Sequence, residues 1–222
     1  ISRYLFPGII QQGLLYEIAG WEVYAGEVIL ASSAIILMAL LNIRGIKQAA
    51  WMQTAIALTL VGCILIVTFL VFYISDWSNL APGFPDGRRW WKGVFSIVAM
   101  APWAFIGFDC IPQSAEEYNF SHKKSTGIMI SAILVAAILY IGVCAATAVG
   151  LKPWQELLAD RINWPTGHIV RNTIGMAGLV MLGIAMFCAV ISGMNAFYIS
   201  TSRLMYAMAA EGSLPKWFGK LS

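Results

Sequence analysis

The sequence predicts an all-α fold, a polytopic transmembrane helix bundle. Of the 222 residues, 59% are hydrophobic and 11% are charged, whereas a soluble domain carries about 25% charged residues. Long apolar runs recur along the chain, and a bilayer core about 30 Å thick requires roughly 20 apolar residues in a helix. These features exclude soluble, disordered and fibrous proteins, and a net charge of +3 is too small to indicate a nucleic-acid partner.

Two helices are predicted in the first part of the chain, at about 23–43 and 49–75. The first carries Glu27 at its outer edge, and the second contains no charged residue. The connection that follows, residues 76–92, is rich in tryptophan, which is typical of the membrane interface.

Three more helices are predicted at about 93–118, 125–151 and 172–208. Between the last two, apolar residues recur at helical spacing over about 153–162, which indicates an amphipathic helix lying on the membrane or capping the bundle. An ordinary loop helix remains the alternative. We expect residues 1–222 to form a single, partial transmembrane domain in which both chain ends are cuts in a longer protein.

The helix at 93–118 contains three helix breakers, Pro102, Gly107 and Pro112. Each proline removes a backbone hydrogen bond. Unpaired backbone at membrane depth is tolerated only inside protein or beside a watery cavity, and discontinuous helices of this kind form the binding sites of secondary transporters. The sequence therefore predicts a broken helix with a functional site at the break.

Acidic residues follow the break. Asp109 would cost about 2.5–3.5 kcal/mol near the membrane centre unless it faces protein or water. It either caps the second half-helix or takes part in proton- or substrate-linked chemistry, and both roles stay open. For Glu116 and Glu117, near the helix end, we expect a solvated or gate-type salt bridge.

The last predicted helix carries a small polar cluster around Ser192 and Asn195. Small residues allow helices to approach closely, so packing is one interpretation. Hydroxyl and amide oxygens directed at a cation or substrate are the other. No metal-binding or hydrolase motif is present in the sequence, and we expect neither a resident metal nor a cofactor.

Three motifs in order resemble a known family. FIGFD followed by AEE, at 105–117, resembles the broken sixth helix of the amino acid permeases of the amino acid–polyamine–organocation superfamily. NIRGIKQAA, at 42–50, resembles the loop between the fourth and fifth helices. SRLMYAMAAEGSLPKWF, at 202–218, resembles the end of the eighth helix and its loop.

The resemblance implies a partial leucine-transporter-like fold of two inverted repeats that meet at residues 76–92. The five predicted helices then correspond to the fourth to eighth helices, and residues 1–22 to the end of the third helix and its outer loop. The first helix, which supplies half of the substrate site, would be missing from this chain, as would the other N-terminal helices.

The resemblance also implies a substrate site. Backbone carbonyls of Trp103, Ala104 and Ile106 would hold the amino group of an amino acid or related amine. Gly107 would be the flexible point, and Trp103 or Phe105 the aromatic residue over the substrate, with Trp103 preferred. A cation over an indole gains about 0.5–2 kcal/mol.

Coupling to an ion is left open by the sequence. The helix predicted at 49–75, which corresponds to the family's fifth helix, lacks the lysine that some proton-coupled relatives have there. The coupling modes that remain are exchange, a proton carried by Asp109, and sodium near Ser192. We expect secondary active transport across the plasma or inner membrane, in a lipid bilayer. A sensor that retains the site is the alternative, and a membrane enzyme using Asp109, Glu116 and Glu117 is the weaker one.

Overall fold

The computed structural model describes residues 2–5, 8–43, 46–80, 89–108, 121–150 and 164–219. The helices in these ranges are α1 (Ser2–Leu5), α2 (Ala25–Ile43), α3 (Ile46–Ile74), α4 (Trp90–Ala104), α5 (His122–Gly150), α6 (Pro165–Thr173) and α7 (Met176–Ala210). Short 3-10 helices cover Trp77–Leu80 and Lys216–Gly219, and two strands, β1 (Leu14–Ile18) and β2 (Trp21–Tyr24), form a hairpin.

Four helices in the described ranges are long and apolar enough to cross a membrane. They are Ala25–Ile43, Ala50–Ile74, Lys123–Gly150 and Met176–Ala210. Helix α4, with 15 residues, is about 22 Å long and too short to cross a 30 Å core alone. The prediction of an all-α polytopic helix bundle is confirmed.

The bundle core lies where α3, α5, α6 and α7 meet. Six buried residues form its centre, namely Val67, Val71, Ala146, Ile169, Val170 and Leu182. Close approach of α5 to α6 is possible because Gly150 has no side chain, since a Cβ there would lie 2.2 Å from Cγ2 of Ile169. Helix α2 packs on α3 and α7, while many apolar side chains on its remaining surface are exposed, as expected of a helix that faces lipid.

The β-hairpin departs from the prediction for residues 1–22. We expected a helix end and a loop there, with the next helix beginning near residue 23, but β2 continues to Tyr24 and α2 begins at Ala25. Ala19 and Gly20 join the strands, both with positive φ, of 52° and 82°. Positive φ at both central residues is typical of a two-residue turn that matches the twist of paired strands.

The last predicted helix is also divided differently. A start near residue 172 was expected, but α6 ends at Thr173 and α7 begins at Met176. The break occurs at Gly175, whose φ of 91° is incompatible with a continuous right-handed helix. The predicted loop helix at 153–162 lies outside the described residues.

Candidate functional site

In the described residues, the helix predicted at 93–118 is represented by α4, which ends at Ala104. Pro102 lies in the last turn of α4 and has no N–H to donate to the carbonyl four residues earlier. At the end of α4, the Phe105 amide donates to the Pro102 carbonyl, three residues earlier, at 3.2 Å. This short-range bond tightens the last turn of the helix. A turn then occupies residues 105–108, and Gly107 adopts a left-handed φ of 101°. Residues 105–108 continue the apolar run, but they are not helical.

Tyr140 of α5 contacts the end of α4. Its hydroxyl donates a hydrogen bond of 2.8 Å to the Ala104 carbonyl. Its ring meets that of Phe105 edge-on, with centroids 5.7 Å apart and an interplanar angle of 83°. Phe105 also contacts Phe108 at 5.9 Å. Phe105 therefore contacts both its own turn and α5, and one carbonyl at the end of α4 is hydrogen-bonded to α5.

Trp103 projects away from the described part of the bundle, with 81% of its surface exposed. Ile106 is also exposed, as are residues 90–100 of α4. The described elements thus leave one side of the break open. The carbonyls at the C-terminal end of a helix carry partial negative charge. This end of α4 can attract a cationic group, and an indole ring stands next to it.

The remaining predicted residues of this region are Asp109, Pro112, Glu116 and Glu117. All four lie outside the described residues, and their proposed roles stay predictions. In the part of the chain that the structure describes, no three histidine, cysteine, aspartate or glutamate side chains come together as metal ligands.

A second polar site joins α2, α3 and α7. Asn195, which is 1% exposed, accepts a hydrogen bond from the Asn42 amide at 2.9 Å. The side-chain Nδ2 of Asn195 donates to the side-chain Oε1 of Gln53 at 3.1 Å. The side-chain Nε2 of Gln53 donates in turn to the Ser192 hydroxyl at 2.5 Å. Asn42 also donates to the Met38 carbonyl at 2.9 Å. We call Asn42, Gln53, Ser192 and Asn195 the amide network.

The amide network adds an observed role for Ser192 and Asn195 to the two interpretations that the sequence left open. Their side chains do more than fill space, because each hydrogen-bonds to a neighbouring helix. A buried amide costs free energy unless it is paired, so the network fixes the rotation of α7 against α2 and α3. Three helices are joined without any formal charge.

Sequence reasoning missed three residues that the structure brings to these sites: Tyr140, Asn42 and Gln53. Each is a polar side chain within or at the end of an apolar run, which is a signal in itself because such groups need partners in a membrane. The sequence offered no way to choose those partners, since Asn42 and Asn195 are separated by 153 positions.

Comparison with known proteins identifies the family. The family model described as amino acid permease matches residues 9–222. The chain is 27% identical over 201 residues to the methylthioribose transporter of Bacillus subtilis, covering 89% of this chain and 42% of the relative. It is 25% identical over 205 residues to the branched-chain amino acid permease BcaP of Lactococcus lactis, covering 87% of this chain and 42% of that protein.

A human relative also matches most of this chain over only part of its own length. Cationic amino acid transporter 4 is 29% identical over 192 residues, which cover 82% of this chain and 28% of that protein. The chain therefore spans less than half the length of these three curated relatives. No solved structure matches.

The matched names are those of transporters and permeases rather than enzymes, in agreement with the absence of enzyme motifs from the sequence. The four apolar helices make the chain a multi-pass membrane protein. Together with the match over residues 9–222, they show that this chain belongs to the amino acid permeases of the amino acid–polyamine–organocation superfamily.

Proposed function

We propose that the protein to which this chain belongs performs secondary active transport of an amino acid or related amine across the plasma or inner membrane. The observation that carries the proposal is the end of α4 at Ala104, inside an apolar run, followed by a turn with left-handed Gly107. Two of the three named relatives, a branched-chain amino acid permease and a cationic amino acid transporter, support the same substrate class.

In this proposal the substrate's amino group binds at the carbonyl end of α4. An ammonium group is a donor and a cation, and it fits carbonyl oxygens that no longer bond within a helix. The Tyr140 hydroxyl already donates to Ala104, but a carbonyl oxygen accepts two hydrogen bonds and retains room for the substrate. Carbonyls of Trp103 and Ile106 complete the proposed set.

Trp103 is the proposed aromatic partner of the substrate. Its ring is exposed beside the break, where an indole adds about 0.5–2 kcal/mol of cation–π attraction. Phe105 is less suited to this role because Tyr140 and Phe108 already contact its ring.

Other parts of the full protein complete the site in this proposal. The chain spans less than half of the relatives' length, and in this proposal the rest of the protein and lipid cover the exposed side of α4. The two inverted repeats would rock or gate around the break. Exchange, sodium and a proton carried by Asp109 remain the coupling modes to be distinguished, with no organic cofactor.

The amide network bears on the sodium alternative. Ser192 and Asn195 are hydrogen-bonded to the amides of Gln53 and Asn42 in this conformation. A hydroxyl oxygen has two acceptor lone pairs, so Ser192 can accept the bond from Gln53 and still face a cation. Sodium coupling therefore does not require this bond to break.

The test is uptake by the full-length protein in proteoliposomes, with a panel of labelled amino acids and amines. Each compound is offered with no gradient, a proton gradient, a sodium gradient, or internal unlabelled substrate. Gradient- or exchange-dependent uptake of a compound with an amino group is the expected result. Binding without uptake by folded protein would favour a sensor, and chemical conversion of the compound would favour an enzyme.

A further inference from the structure

The β1–β2 hairpin has two chemically different faces. The pairing places Tyr16 opposite Val23 and Ile18 opposite Trp21, so these four side chains share one face. Glu17 lies opposite Glu22, and by the alternation of side chains along a strand this pair projects from the other face. We call the first the apolar face and the second the acidic face.

The acidic face is tied to the helices. The Arg3 guanidinium donates to both Glu27 carboxylate oxygens, at 2.6 and 2.8 Å, and to the Glu22 carbonyl at 2.5 Å. It also lies 5.6 Å from the ring centroid of Tyr24, whose hydroxyl donates to the Glu22 carboxylate. Together these contacts anchor the hairpin to α1 and α2.

The backbone adds a second anchor. The amides of Ala25 and Gly26, in the first turn of α2, donate to the carbonyls of Gly13 and Gln12 at 2.7 and 3.3 Å. These are amides that a helix cannot pair internally. The hairpin is therefore fixed to the start of a membrane-spanning helix, so the direction of its apolar face is fixed as well.

The apolar face, in contrast, is open. Trp21 is 64% exposed, Ile18 61% and Tyr16 50%. An isolated two-stranded hairpin is only marginally stable in water, and a contiguous exposed apolar patch marks an interaction surface.

The position of the hairpin next to α2 indicates what covers its apolar face. β2 runs into α2 without a linker, and its four residues span about 13 Å when extended. Trp21 therefore lies within about that distance of the point where α2 enters the apolar zone, which is near the headgroup region of the bilayer. Tryptophan and tyrosine are the residues enriched at that depth. Val28 and Ile29, five and six residues after Val23, are exposed apolar residues of α2.

We propose that the β1–β2 hairpin is an interfacial membrane anchor whose apolar face, Tyr16, Ile18, Trp21 and Val23, inserts into the headgroup and upper acyl region of the bilayer. The acidic face then points toward water and toward Arg3. The hairpin thereby holds the N-terminal end of α2 at a fixed depth.

The experiment uses the full-length protein in liposomes of neutral phospholipid, with the native cysteines replaced. A nitroxide label is attached in separate variants, Ile18→Cys and Trp21→Cys on the apolar face and Glu17→Cys on the acidic face. Glu17 is a matched control because it lies on the same strand as Ile18, one residue away, and is also exposed. Each label's collision rate is measured with oxygen, which concentrates in lipid, and with a water-soluble nickel chelate.

Labels at 18 and 21 are expected to collide several-fold more with oxygen than with nickel, and the label at 17 more with nickel. Two apolar-face positions keep the test intact if one variant fails to fold. Nickel preference at either 18 or 21 would overturn the proposal, because the hairpin would then stand in water. Protection of both from oxygen and nickel would overturn it too, because protein would then cover the face.

Discussion

Trp103 and Trp51 are similarly exposed, at 81% and 77%, but only Trp103 lies beside the broken helix. Trp103→Ala in the full-length protein should raise the substrate Kd or KM about 2-fold to about 30-fold, because a cation–π contact of about 0.5–2 kcal/mol is lost. Trp51→Ala, the matched control, should leave uptake affinity unchanged. Equal effects of the two substitutions, or no effect of either, would remove Trp103 from the proposed site.

Asp76 provides a pH-dependent prediction at the start of the 3-10 helix after α3. The Ser78 amide donates to its carboxylate at 2.9 Å, and this bond, with a smaller contribution from the Ser78 hydroxyl, holds the pKa of Asp76 below its usual range. Because the folded pKa is lowered, the contribution of Asp76 to stability is present at neutral pH. It is lost as the pH falls through that lowered pKa.

Carboxyl ¹³C chemical shifts of Asp76, assigned with Asp76→Asn, should titrate below the midpoint of an unstructured peptide. Ser78→Ala should move the midpoint only part of the way back, since the backbone amide remains. A midpoint at or above the peptide's value would contradict the bond.

At the scale of elements, the amide network links α7 to α2 and α3 through uncharged groups. Interhelical hydrogen bonds in membranes contribute about 0.6–2 kcal/mol each. Asn195→Ala should therefore lower the free energy of unfolding by about 1–3 kcal/mol, since it also leaves buried amides unpaired. Ser131→Ala is the control, because that exposed hydroxyl bonds to the Ile128 carbonyl of its own helix.

A double-mutant cycle measures the free energy of interaction between Asn195 and Gln53. Asn195→Ala and Gln53→Ala, alone and combined, should show a coupling free energy of about 0.6–2 kcal/mol in unfolding from detergent micelles. Additive effects would mean that the hydrogen bond between these residues contributes no stability.

Two helix glycines differ in their surroundings: Gly26 of α2 lies against another segment of the chain, whereas Gly62 of α3 faces open space in the described part of the chain. A Cβ on Gly26 would lie 2.3 Å from the Ile10 carbonyl oxygen, which belongs to the backbone and has little freedom to move. Gly26→Ala should therefore destabilise the protein by about 1–3 kcal/mol and loosen the hairpin.

The control for that substitution is Gly62→Ala in α3, where, among the described residues, no atom beyond the neighbouring backbone of α3 itself lies within 4 Å of the added Cβ. Alanine is the better helix former by about 1 kcal/mol, so this variant should be neutral or more stable. The measurement is the thermal stability of both variants and the parent protein in detergent. A Gly26→Ala protein as stable as the parent would show that α2 and the Ile10 segment do not touch.

At the scale of the whole molecule, the proposed transport leaves the coupling mode to be distinguished. If Asp109 carries the coupled proton, Asp109→Asn in the full-length protein should flatten the pH dependence of uptake while exchange continues. Asn has a similar shape but cannot titrate, so the pH profile, rather than the rate alone, is the measurement. A profile that keeps its shape in Asp109→Asn would assign coupling to another group or to sodium.

The sequence alone determined the class of the molecule and the order of its membrane helices. Apolar length is a local property: a run such as 125–151 must form a helix in a bilayer because its backbone has no other partners. The end of α4 was predictable for the same reason, since Pro102 and Gly107 act on the backbone around them. The break at Gly175 and the hairpin turn at Ala19 and Gly20 were missed, although their signals were also local.

Only the tertiary structure decided which polar groups meet. Tyr140 reaches the Ala104 carbonyl, and Asn42 reaches Asn195, because of how each helix is rotated and how far it is shifted along its neighbour. Rotation and shift depend on the packing of side chains from distant parts of the chain, such as Val71 against Ile169 across Gly150. That packing is a property of the assembled bundle, whereas apolar length and helix breakers act within single segments.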